Sequence, residues 1–114
     1  MDTATSPTDH LVLATPDTIA GVPRRDVDGT PGATQRVLWA DGTRVAGMME
    51  FAADAVMAEH THVDRGHHIW VVEGSATVCG ERLDAGGYAH VPVGVPHGVA
   101  AGPDGCTLFF VYTT

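Results

Sequence analysis

The chain is 114 residues long and 44% apolar, with fourteen acidic side chains against six basic ones, all arginine, for a formal net charge of −8. That length holds one hydrophobic core, and an acidic balance with no concentrated basic patch excludes nucleic-acid and anionic-membrane partners. The longest apolar runs, such as Ile69 to Val72 and Leu108 to Tyr112, fall far short of the roughly 20 residues that span a bilayer.

Met1 to Asp9 carries acids and no positive region, and no long apolar run follows. A secretory leader is therefore not expected, and the expected location is cytoplasmic. Residues 1–35, rich in threonine, proline and aspartate around the apolar segment Leu11 to Ala14, read as an N-terminal arm with one or two short strands. Within it, Met1 to Pro7 is expected to be a disordered tail. From Arg36 the texture changes to short β-rich runs punctuated by Gly, Pro and Asp, so residues 36–114 are assigned to a barrel. Arg36 to Ala40 and Arg44 to Phe51 flank Asp41-Gly42, a dipeptide suited to a tight hairpin. Further strands are expected at Met57 to His62, His67 to Glu73, Ala76 to Cys79, Glu81 to Leu83, Tyr88 to Val91, Gly98 to Ala101 and Thr107 to Thr113. Little or no helix is expected, and the fold class is all-β, a small antiparallel barrel or sandwich. A barrel this small is marginal alone, which favours a homodimer in which the arm covers a sheet edge.

Cys79 and Cys106 are too few for a disulfide framework and too far apart for a CxxC motif, and read as buried thiols. Histidine is the anomaly: six of seven lie between His60 and His97. His60 and His62, two apart on an expected strand, project from one face. By alternation His67 points with Ile69 and Val71, and His68 points the other way with Trp70. His97 follows the stiff turn Pro92-Val93-Gly94-Val95-Pro96. Several buried imidazoles from separate strands would be costly unless satisfied, and coordination of a metal satisfies them.

On these residues the chain resembles the cupin superfamily. Its first motif, Gly, five residues, His-x-His, three or four residues, Glu, six residues, Gly, is met by His60, His62, His67 at the glutamate position, and Gly74. The second, Gly, five residues, Pro-x-Gly, two residues, His, three residues, Asn, is met by Gly86, Pro92, Gly94 and His97. Asp54 replaces the opening glycine, a substitution open to Asp because it enters left-handed backbone space, and Ala101 replaces the closing Asn. The resemblance implies a double-stranded β-helix of jelly-roll type and a metal held by His60, His62, His67 and His97. Four neutral ligands would leave a divalent ion its full charge. Iron(II) or manganese(II) ranks first, with nickel, zinc, copper or cobalt as alternatives.

With no paired carboxylates, Ser/His/Asp set or phosphate loop, the metal is the one reactive centre the residues suggest. Resemblance to oxygen-using cupins implies a dioxygenase-type enzyme acting on a small chelating molecule such as a diketone, hydroxyketone or enediol. Two alternatives stay open. One is a non-oxidative isomerase, decarboxylase or lyase, which needs a proton donor such as Tyr88 or His90 facing the site; the other is a non-enzymatic cupin that binds a metal or small ligand. His68 as a fifth ligand, and Glu59 or Asp64 as groups orienting the imidazoles, are weighed against outward and solvated roles. A charge of −8 outside a dicationic site favours substrates that are neutral or weakly acidic until bound.

Overall fold

The computed structural model describes residues 11–114, so the tail expected at Met1 to Pro7 lies outside the described residues. In chain order the elements are a helix α1 (Pro16–Ala20) and strands β1 (Arg25–Asp26), β2 (Ala33–Asp41), β3 (Arg44–Phe51), β4 (Val56–His60), β5 (Gly66–Val78), β6 (Glu81–Asp84), β7 (Tyr88–Val91) and β8 (His97–Thr113). Every pairing is antiparallel, in the order β1-β2-β3-β8-β5-β6, with β4 also on β8 and β7 also on β5. None of the described helices is long and apolar enough to cross a membrane.

The arm contributes more than an edge. Thr15 caps α1 in a reciprocal box with Thr18, and Pro16 opens the helix where its missing N–H costs nothing. β1 pairs with β2, which begins at Ala33, ahead of the expected barrel start at Arg36, and Thr30 and Ala33 are buried.

Nine short strands were expected between Arg36 and Thr113, and two pairs of them prove to be single long strands. β5 carries irregularities between Val71 and Glu73 and between Gly74 and Ala76. Its buried positions accordingly switch from His67, Ile69 and Val71 to Ala76 and Val78. β8 makes the same switch, from His97, Val99 and Ala101 to Cys106, Leu108 and Phe110. An extra residue in a strand bends it and exchanges its faces, and so each long strand serves two parts of the sheet. Ile69, Phe110 and His97 are the largest fully buried side chains.

Turn chemistry follows the sequence with one change. The β2–β3 loop is Gly42-Thr43 between the paired Asp41 and Arg44, with Gly42 at φ +61°. Positive φ at the first loop position alone is the II′ pattern. Asp54, in the place of the motif glycine, has φ +61° as expected of an Asp there.

Candidate metal centre

His60 ends β4 and His97 opens β8, and the two are paired across the strands. His62 lies just beyond β4 rather than within a strand, yet its ring stands 5.0 Å from that of His60 and 5.2 Å from that of His97. His60 and His97 are 4.3 Å apart by the same measure. One nitrogen from each of His60, His62 and His97 falls within 4.8 Å of the other two, so three imidazoles converge on a space fit for a metal ion.

Backbone carbonyls, not carboxylates, set two of these rings. The His60 Nδ1–H donates to the Ala58 carbonyl at 2.8 Å, and the His97 Nδ1–H to the Val95 carbonyl at 3.0 Å. Fixing the proton on Nδ1 leaves the Nε2 lone pair free to bind a metal. Glu59 and Asp64 are exposed and make no hydrogen bond to these imidazoles among the described residues. The Nε2 atoms of His62 and His67 are buried without a hydrogen-bond partner. Buried polar atoms are almost always satisfied, and an ion held by the three-histidine cluster would satisfy that of His62; His67 lies outside that cluster.

His67 projects inward from β5, as alternation predicted, and its Nδ1 lies 3.4 Å from His97 Nε2. Its ring centroid is 5.8 Å from that of His62 and 5.4 Å from that of His97. Burial first, then the neighbouring His97, His62, His60 and Arg65, pushes its imidazole down to about 3. His62 is pushed down to about 4, by burial first and then by Arg65. His97 is lowered too, chiefly by burial. These rings are neutral at pH 7, the state in which imidazole binds metals.

His68, Tyr88 and His90 lie on the opposite face of β5 and β7. His68 stacks on His90 at 4.6 Å with the rings 10° from parallel, and shares a 2.6 Å hydrogen bond with the Tyr88 hydroxyl. Tyr88 is 45% exposed, so neither it nor His90 faces the centre as a proton donor. Cys106 is buried, with its thiol raised to about 11 by burial, whereas Cys79 is exposed, contrary to the reading of two buried thiols.

Three features were not anticipated. Tyr112 stands 5.2 Å from the ring of His62 and 4.4 Å from that of His67. A cavity of about 300 Å³ opens beside them, lined by Val27, Thr30, Met49, His60, His62 and Tyr112. Arg65 lies with its guanidinium carbon 3.9 Å from the centre of the Tyr112 ring. Tyr112 was legible in principle, because it keeps the inward parity of Leu108 and Phe110. The turn at Val27 to Thr30 was hidden by the composition of the arm, and loop residue Arg65 by the lack of any periodic signal.

Residues 22–114 match a protein family described as a ChrR cupin-like domain. Among solved structures, an RmlC-like cupin from Shewanella frigidimarina is 26% identical with a TM-score of 0.73, over 82% of this chain and 85% of that one. KdgF from Halomonas sp. is 25% identical with a TM-score of 0.71, over 83% and 89%. The polyketide cyclase RemF from Streptomyces resistomycificus is 25% identical with a TM-score of 0.72, over 99% and 80%. A search of curated proteins returns no match.

Proposed function

This chain belongs to the ChrR cupin-like domain family, and from that premise we propose that it is a mononuclear metal enzyme of dioxygenase type. Its substrate on this reading is a small oxygen-rich molecule, a diketone, hydroxyketone or enediol, that chelates the metal. The observation that carries the proposal is the convergence of three imidazole nitrogens within 4.8 Å beside a cavity of about 300 Å³.

His60, His62 and His97 are the core of the ligand set, and His67 is the proposed fourth ligand. Two nitrogens bound at about 2.1 Å to a tetrahedral ion stand about 3.4 Å apart, the spacing between His67 Nδ1 and His97 Nε2. The proposed ion is divalent, iron(II) or manganese(II) first, with nickel, zinc, copper or cobalt able to use the same donors. When bound, such an ion supplies Lewis acidity to a chelated oxygen and, for iron, a site for dioxygen. The chain supplies the surroundings. Val27, Met49 and Met57 give the cavity an apolar wall opposite its polar residues Asp28, Thr30 and Glu59. Burial keeps the Tyr112 phenol protonated, so it can donate a hydrogen bond to a substrate oxygen.

Tyr112 also favours a second reading, non-oxidative catalysis on a carbonyl with its phenol as proton donor, because it lines the cavity where Tyr88 and His90 do not. Likeness to a polyketide cyclase agrees with that reading. The homodimer remains part of the proposal, supported by the exposed Trp70, Val72 and Tyr88 on one face of the sheet. Turnover of a diketone panel by iron-loaded protein, with and without dioxygen, tests the choice. Product formed only with dioxygen is expected; product formed equally without it would exclude the dioxygenase.

A further inference from the structure

One wall of the cavity beside the metal centre comes from the arm. Between β1 and β2 the chain turns at Val27 to Thr30, and the turn is tied down at both ends. The Val27 N–H donates to the Ala33 carbonyl, the Thr30 N–H to the Val27 carbonyl and the Ala33 N–H to the Thr30 carbonyl, each at 3.1 Å. The Ala52 N–H donates to the Gly32 carbonyl at 2.8 Å, which fixes the turn to the chain just past β3. Within this held turn Thr30 is 5% exposed, and its hydroxyl makes no hydrogen bond among the described residues. Nor is that oxygen one of the unpartnered atoms sealed from solvent, so the little surface Thr30 keeps includes its hydroxyl. Thr30 lines the cavity together with Met49, His60, His62 and Tyr112, and the exposed carboxylates of Asp28 and Glu59 line it too.

A buried hydroxyl is ordinarily paired, because losing water without a replacement bond is costly. An unpaired one, held on a rigid wall and open to a cavity, is a hydrogen-bonding group available to a ligand. We propose that Thr30 is a specificity-determining residue of this site and takes a hydroxyl group of the substrate, at the end away from the atoms that chelate the metal. Asp28 and Glu59 suit the same group, since a carboxylate accepts from a hydroxyl and repels a second anionic group. An ammonium group is disfavoured: both carboxylates are exposed, so solvent screens their charge, and Thr30 is neutral. The inference rests on the metal-centre reading and narrows it, ranking a hydroxyketone or enediol that bears a further hydroxyl above a plain diketone. A diketone leaves Thr30 unpaired, and a site with an unpaired polar group discriminates against the ligand that cannot fill it.

Ligand-detected NMR titration of zinc-loaded and metal-free protein tests this with two probes: erythrulose, and 1-hydroxybutan-2-one, which keeps the chelating hydroxyketone and lacks the further hydroxyls. Metal content is measured on the same samples. Wild type is expected to bind erythrulose about tenfold more tightly, and Thr30→Val to cut that preference by at least about threefold, the scale of one hydrogen bond. Thr30→Ser, which keeps the hydroxyl, should retain the preference, and neither variant should alter metal content. Melting temperature should stay level or rise in Thr30→Val, because a methyl of the same shape replaces an unpaired hydroxyl. Thr30→Ala gives the same reading should the valine variant not fold. The comparison is made in metal-free protein as well, so a wild type that takes up no zinc would defeat the metal-centre reading and still leave Thr30 decided. Equal affinities for the two probes in wild type, or binding of neither probe in either form, would overturn the proposal. So would a preference unchanged in Thr30→Val, even with both probes weakened, which would mark Thr30 as packing only.

Discussion

His67 Nδ1 and His97 Nε2 lie 3.4 Å apart although 30 residues separate them in sequence. The contact joins the start of β5 to the start of β8, and neither residue has an exposed ring to turn away, at 5% and 1% exposure. Changes even to groups that only support a ligand cost about 10–100-fold in metal affinity. His97→Ala should therefore exceed that loss, because it removes a member of the three-histidine cluster. His67→Ala is expected to weaken metal binding by at least tenfold in competition with a chelating dye; unchanged affinity would reduce the site to three histidines.

Acid should destabilise the metal-free protein. His62 and His67 are held at about 4 and about 3 when folded, against an ordinary value of 6.5. Below 6.5 the unfolded chain binds more protons than the native one, so stability rises with pH through that range. The contribution is complete above pH 6.5, declines as pH falls below that value, and is fully lost only below about 4 for His62 and about 3 for His67. Melting temperature measured from pH 7.5 to 4.5 should fall steadily, and His67→Leu should flatten the slope.

Gly74 carries a backbone requirement. Its φ is +74°, and a Cβ there would lie 2.2 Å from the Gly105 carbonyl oxygen in β8. Left-handed strain alone costs about 1–2 kcal/mol, and here a backbone clash adds to it. Gly74→Ala should lower stability by more than about 2 kcal/mol in urea unfolding. Gly80→Ala is the control: it shares a positive φ but meets nothing within 4 Å, so its loss should be smaller.

The outer aromatic face should be separable from the centre. His68, Trp70, Tyr88 and His90 stack on one another and not on the inward histidines. Replacing both His68 and His90 with Ala should leave metal stoichiometry unchanged. A lost ion in that double variant would place one of them in the coordination sphere.

Alternation made most of the site legible. His67 inward and His68 outward follow from a two-residue period, and Gly74 and Asp54 stand in left-handed backbone where the motif spacing put them. Alternation could not show where the period breaks. The irregularities near Val71 and Gly74, which merge two expected strands into β5, depend on pairing with β8 and leave no local signal. The same reason hid Arg65, whose position is set by Tyr112, 47 residues away in the chain and brought close by the β5–β8 pairing.

Elemental analysis of the wild-type chain, alongside His62→Ala, tests the metal centre most directly. After loading with iron(II), manganese(II) or zinc and removal of free metal, about one ion per chain is expected in the wild type, as one mononuclear site requires, and none in the variant. A wild-type chain that retains no ion under any of these loadings, or a variant that retains as much as the wild type, would contradict the account.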